Sequence, residues 1–200
     1  MRIRGIAAAA LALALAGCGG GASPDGARAP ADAPGPPRPE DPGTAVEPPP
    51  PSVEARLYFP SRSADGLVEE TREIFATTAP EDRAKQIVGA LLEGPRRSDA
   101  APAAPAGVRL RQAYVTADGI AYLDFSTELR SGMGGGSTAE LLTVYAVVDS
   151  IALSVPEVRR VAILVDGAEV DTLNGHLDLR FPLRARRDLV VGSAPAGAGT

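Results

Sequence analysis

The stretch Gly132-Met133-Gly134-Gly135-Gly136-Ser137-Thr138-Ala139-Glu140 decides between two kinds of fold. Ahead of it, Ile120-Ala121-Tyr122-Leu123-Asp124-Phe125 reads as a strand. Behind it, Leu141, Leu142, Val144, Tyr145, Val148, Ile151, Ala152 and Val155 make a wide apolar face over about four helical turns, closed by Pro156. A glycine-rich loop that leaves a strand and opens a helix is the setting in which nucleotide-binding α/β folds hold phosphate.

The chemistry of that loop argues otherwise. A P-loop needs a lysine before its serine or threonine. Gly136 precedes Ser137 here, and Lys85 is the one lysine in the chain. A dinucleotide loop needs a third glycine, and Ser137 stands in its place. Ser137 and Glu140 instead spell S-x-x-E ahead of an apolar run, which predicts a capping box. In it, Ser137 accepts from the amide of Glu140 while Glu140 reaches back to the amide of Ser137. A carboxylate so close to the helix start also repels an anion there.

Working outward, Ala55-Arg56-Leu57-Tyr58-Phe59-Pro60 predicts a strand ended by proline, and residues 67–75 an irregular one. Ala84, Ile87, Val88, Leu91 and Leu92 form one helical stripe, with Thr78 and Pro80 at its start and Gly94-Pro95 at its end. Residues 108–116 and 120–125 predict two strands joined by Asp118-Gly119, a hairpin signal. Residues 158–165 predict a strand; Val161, Ala162, Ile163, Leu164 and Val165 make it apolar on both sides, which suggests a central strand buried on both faces, turned by Asp166-Gly167. Residues 173–179 predict a last turn and a short strand. The expected fold is α+β, with two amphipathic helices packed on one mixed sheet.

The ends have other characters. Arg2 and Arg4 precede an apolar run to Ala16, too short to span a bilayer and shaped like a secretory signal. It finishes Leu15-Ala16-Gly17-Cys18, which resembles the lipobox of bacterial lipoproteins. Cys18 is the single cysteine and has no disulfide partner within the chain. The expected organisation is a signal peptide over 1–17, a lipidated Cys18 with a tether over 18–52, a domain over 53–190 and a loose tail over 191–200. Residues 19–52 hold eleven prolines and six glycines and too little apolar surface to fold. Extended, the tether reaches about 100 Å. The formal charge of −5 disfavours nucleic acid as a partner.

Catalytic constellations are sparse. His176 is the one histidine, and a hydrolase could be built on it with a nearby serine or with Asp171 or Asp178. No G-x-S-x-G elbow accompanies it. Asp166, Glu169, Asp171 and Asp178 fit no calcium loop and read as a solvated acidic edge. No catalytic residue, metal ligand or cofactor is assigned.

The pieces together resemble the GerMN domain of sporulation and spore-germination lipoproteins. The matching residues are Leu57-Tyr58-Phe59-Pro60, Leu91-Leu92-Glu93-Gly94-Pro95, Gly119-Ile120-Ala121-Tyr122-Leu123-Asp124-Phe125-Ser126, the Gly135-Gly136-Ser137 to Glu140 segment, residues 161–167 and Gly175-His176-Leu177-Asp178-Leu179. The resemblance implies a layout like the ring-building modules of envelope assemblies, often in tandem. It implies a palmitate-bearing envelope protein rather than an enzyme, held to the membrane through Cys18 on the exported side. An envelope protein or peptidoglycan is its implied partner. Gly19, where retained lipoproteins commonly have aspartate, points to the outer membrane in a cell that has one.

Overall fold

The computed structural model of the protein describes residues 50–63 and 65–191. The lipobox residues Leu15, Ala16, Gly17 and Cys18, and nearly all of the expected tether and tail, lie outside the described residues.

Strands β1 (Ser52–Pro60) and β2 (Leu67–Phe75) form an antiparallel hairpin in continuous register from Ser52↔Phe75 to Pro60↔Leu67. Thus β2 is regular, and Ser52, expected in the tether, already belongs to β1. Helix α1 (Pro80–Leu92) follows, with Pro80 at its first turn. Its preceding cap residue is Ala79 rather than Thr78, and Gly94 ends it in the left-handed region at φ 94°. Next come β3 (Leu110–Val115), β4 (Ile120–Phe125), the one-turn α2 (Glu128–Ser131) and α3 (Ser137–Ser154). Strands β5 (Arg160–Val165) and β6 (Ala168–Glu169) close the series. Asp166 and Gly167 join them with φ of 51° and 78°, the positive pair that a type I′ turn demands.

The fold is α+β as expected, but its strands divide into two sheets. One is the hairpin; the other has the order β3-β4-β5-β6, with β4 and β5 parallel and the outer pairs antiparallel. The division has a local cause. The edge of β1 that could accept a third strand is occupied by α3. Ser150 Oγ accepts the Tyr58 N–H at 2.8 Å; Ser154 Oγ accepts the Arg56 N–H at 2.9 Å and donates to Arg56 O at 2.8 Å. Four helical residues rise about 6 Å and two strand residues about 6.8 Å. Serines at i and i+4 therefore meet strand residues at i and i+2.

The four-stranded sheet packs on one face. Ala121, Leu123 and Phe125 lie in register with Val161, Ile163 and Val165, and all six are buried. The opposite face carries Tyr114, Tyr122, Ala162 and Leu164, which are half-buried or exposed. Strand β5 is thus central in pairing, with β4 on one edge and β6 and Leu183 on the other. It is not buried on both faces, because only one face of its sheet meets the core.

Helix α3 is apolar and long enough to cross a membrane by length and composition. It packs against β1, α1 and β5 and is buried on nearly every side from Leu142 to Ile151, so it is the core helix of this fold. A C-terminal strap then crosses the molecule. Leu183 exchanges two backbone hydrogen bonds with Val161, both 2.8 Å, and the Val191 N–H donates to Leu67 O at 2.7 Å. The strap therefore ties the second sheet to the hairpin, and Val191, expected in the tail, is part of it.

Candidate functional site

The capping box does not form. The residue before α3 is Gly136, in extended backbone, and no side chain caps the helix. Ser137 is already inside the first turn, where its hydroxyl cannot reach the third amide. Glu140 turns inward and is completely buried. Its Oε1 accepts the N–H groups of Leu173 at 2.8 Å and Asn174 at 2.9 Å. Its Oε2 accepts the His176 N–H at 2.8 Å and meets His176 Nδ1 at 3.0 Å. Asn174 Nδ2 donates to Gly135 O at 3.0 Å, closing the glycine loop onto the same turn. Residues 173–176 therefore wrap one carboxylate, and no strand forms there. Burial opposes ionisation of Glu140, but the amides of Asn174, His176 and Leu173, with the His176 ring, hold its pKa below the ordinary value.

An ionised carboxylate only accepts, so Nδ1 of His176 carries the proton and Nε2 is left to the outside. The His176 side chain is 41 % exposed. It lines an open polar depression of about 280 Å³ with Asp171, Thr172, Gly175, Asp178 and Arg180. This arrangement holds the imidazole in one orientation, as a general base requires. The partners of a hydrolase are not assembled around it. Among the described residues, the ring's one hydrogen-bond partner is Glu140. Thr172 Oγ1 accepts the Gly175 N–H at 2.9 Å. Asp178 is bound by Arg180 at 2.9 and 2.8 Å, which brings its pKa to about 2. Glu140, which sequence spacing assigned to a cap, is the residue that organises this turn.

A second buried acid lies on the same helix. Asp149 is fully buried; its Oδ1 accepts the Arg186 N–H of the strap at 2.8 Å, and its Oδ2 has no hydrogen-bond partner among the described residues. Burial outweighs the Arg186 amide and raises its pKa to about 6. The folded state therefore binds the Asp149 proton more tightly than the unfolded chain does. That contribution is full below the unfolded pKa and is lost as pH rises toward 6, by about 3 kcal/mol at most. We predict that urea midpoints fall between pH 4.5 and 6.5, and that Asp149→Asn flattens this slope. Equal slopes in the two proteins would refute the assignment.

The family model described as Germane, sporulation and spore germination, matches residues 56–171. Among solved structures, the chain is similar to the tandem GerMN domains of the sporulation protein GerM from Bacillus subtilis, with 18 % identity and a TM-score of 0.56. That match covers 69 % of this chain and 48 % of the other, about half of the tandem protein. The first GerMN domain of the same protein matches with 18 % identity and a TM-score of 0.52, over 68 % of this chain and 99 % of that one. A predicted lipoprotein from Clostridium perfringens matches with 26 % identity and a TM-score of 0.49, over 66 % of this chain and 87 % of that one. No curated protein matches. The GerM likenesses show the fold, and the family match runs from the middle of β1 to just beyond β6, stopping one residue short of Thr172 and the turn around Glu140. The resemblance read from the sequence is borne out over more than half of the chain, and the protein belongs to the Germane family of sporulation and spore germination, with a GerMN-type domain.

Proposed function

We propose that this protein is an envelope lipoprotein whose GerMN-type domain is a non-catalytic binding module. In this reading residues 1–17 are a signal peptide, Cys18 carries the lipid, and the tether to residue 52 holds the domain of residues 53–190 away from the membrane on the exported side. Its partner is an envelope protein or peptidoglycan. The observation that carries the reading is the conjunction of a sporulation and germination family domain with Leu15-Ala16-Gly17-Cys18 ahead of a proline-rich stretch.

The test is mass spectrometry of the mature N-terminus in a bacterial host. The expected result is an acylated Cys18 as first residue, with the wild type partitioning into detergent. Cys18→Ser should retain its leader and carry no acyl chain. A mature chain beginning elsewhere, or an unmodified thiol, would overturn the anchor. The binding role predicts that photo-crosslinkers placed on the domain surface capture envelope components in cells. A domain that forms no crosslinks there, in a deletion strain with an intact envelope, would remove it.

A further inference from the structure

We propose that the free edge of β2 is a strand-addition site for an extended, lysine- or arginine-bearing segment of a partner protein. The proposal rests on the reading of the domain as a binding module and names its surface. Strand side chains and backbone groups alternate with period two. At the two ends of β2 the outward groups are used within the chain. Leu67 O accepts from Val191, and Phe75 exchanges hydrogen bonds with Gln86, at 2.7 and 3.1 Å. Glu69, Thr71 and Glu73 share the parity of Leu67 and Phe75, so their N–H and C=O groups point the same way. Nothing among the described residues is hydrogen-bonded to them on that side. The other edge of the hairpin is closed by Ser150 and Ser154, so within the hairpin this opening of about 20 Å belongs to β2.

The surroundings fit an incoming strand. A groove of about 550 Å³ runs beside the edge, lined by Glu73, Ile74, Phe75, Gln86, Gly89 and Ala90 among others. Phe75 is 61 % exposed at its end. Gly89 sits inside α1, where glycine weakens a helix relative to alanine, yet a Cβ there would meet nothing within 4 Å. The chain's own packing does not require glycine at that position; a second backbone lying in the groove would.

Charge selects the occupant. Glu54 and Glu73 are directly paired across the hairpin, and neither has an ion-pair partner among the described residues. Like charges in that position repel, and a basic side chain from an added strand would relieve them. A second copy is disfavoured. Antiparallel pairing of two β2 edges about Thr71 would set Glu69 of each against Glu73 of the other.

The test uses the full chain in detergent and a short fluorescent peptide alternating lysine and valine, beside the same peptide with glutamate for lysine. The expected result is saturable, salt-sensitive binding of the lysine peptide, with slowed hydrogen exchange at Glu69, Thr71 and Glu73. Thr71→Pro removes only an outward amide, which an edge strand tolerates, and should weaken binding by roughly tenfold or more. The double change Glu54→Lys with Glu73→Lys should reverse the preference toward the glutamate peptide. Absence of binding, unchanged exchange at the edge, or binding indifferent to Thr71→Pro would each overturn the proposal. Self-association abolished by Thr71→Pro would overturn it in favour of a second copy. Crosslinks formed in cells from other faces of the domain, with this edge inert, would refute the edge and leave the binding-module reading standing.

Discussion

Replacing Arg72 with methionine is expected to lower the stability of the domain by about 3–5 kcal/mol, measured as a reduced urea midpoint with an unchanged denaturant slope. Arg72 stands on β2 but points into the core and is 4 % exposed. Its Nε donates to Glu70 Oε1 at 2.7 Å and one terminal nitrogen to Ala90 O at 2.8 Å, while the other reaches Gly94 O. The guanidinium also lies 5.6 Å from the Phe59 ring centroid. Helix α1 has no basic residue in its last turn, so this cation supplies from the sheet what the helix end lacks. Methionine fills much of the volume but satisfies neither carbonyl and leaves Glu70 buried without its cation. Glu70 is further held by the amides of Arg96 and Arg97, at 2.9 and 3.2 Å, so the pair also fixes the turn after α1. Removing both charges together, as Arg72→Met with Glu70→Leu, should cost clearly less than the sum of the two single changes. Strictly additive losses would show that the pair is not coupled. Burial works against ionised Glu70, and Arg72 with the two amides overcomes it, so its pKa lies below the ordinary value. The stability this carboxylate contributes is therefore present at neutral pH and is lost as pH falls below the ordinary carboxylate pKa of about 4.5.

Elements whose signal is local were legible in the sequence. The stripe of Ala84, Ile87, Val88 and Leu91 is the buried face of α1. The strand read in residues 120–125 and the Asp-Gly turns at Gly119 and Gly167 give the ladder and its reversals. What was not legible depends on partners far apart in the chain. The hairpin stays out of the main sheet because Ser150 and Ser154 meet residues 92 and 98 positions earlier, and a serine in an apolar helix does not announce such a target. The burial of β5 was overestimated for a related reason. Apolar residues at Ala162 and Leu164 are compatible with two covered faces or with one, and only the placement of the helices decides. The Glu70–Arg72 pair reads locally as charges on an exposed strand. It becomes a core feature only once α1 ends above it.

Glu140 is the sharpest case, because the two readings of it predict opposite results for one substitution. A capping box accepts glutamine as readily as glutamate at its last position. On that reading Glu140→Gln would be nearly neutral, and Ser137→Ala would cost about 1 kcal/mol. In the structure, four donors converge on the Glu140 carboxylate: three backbone amides at 2.8, 2.9 and 2.8 Å and His176 Nδ1 at 3.0 Å. Glutamine keeps the shape but replaces one acceptor oxygen with an NH₂ group, so donor faces donor in a site without water's dielectric. The charge that strengthens the remaining bonds is lost as well. Glu140→Gln is therefore expected to cost about 3 kcal/mol or more, while Ser137→Ala stays within about 0.5 kcal/mol. Amide exchange at Leu173, Asn174 and His176 should accelerate in the glutamine variant well beyond the change at α1. A stable Glu140→Gln protein with those amides still protected would return the residue to the helix end. The expected loss instead places it at the junction of α3, the glycine loop and the His176 turn, where one buried charge holds together three segments that share no local sequence signal.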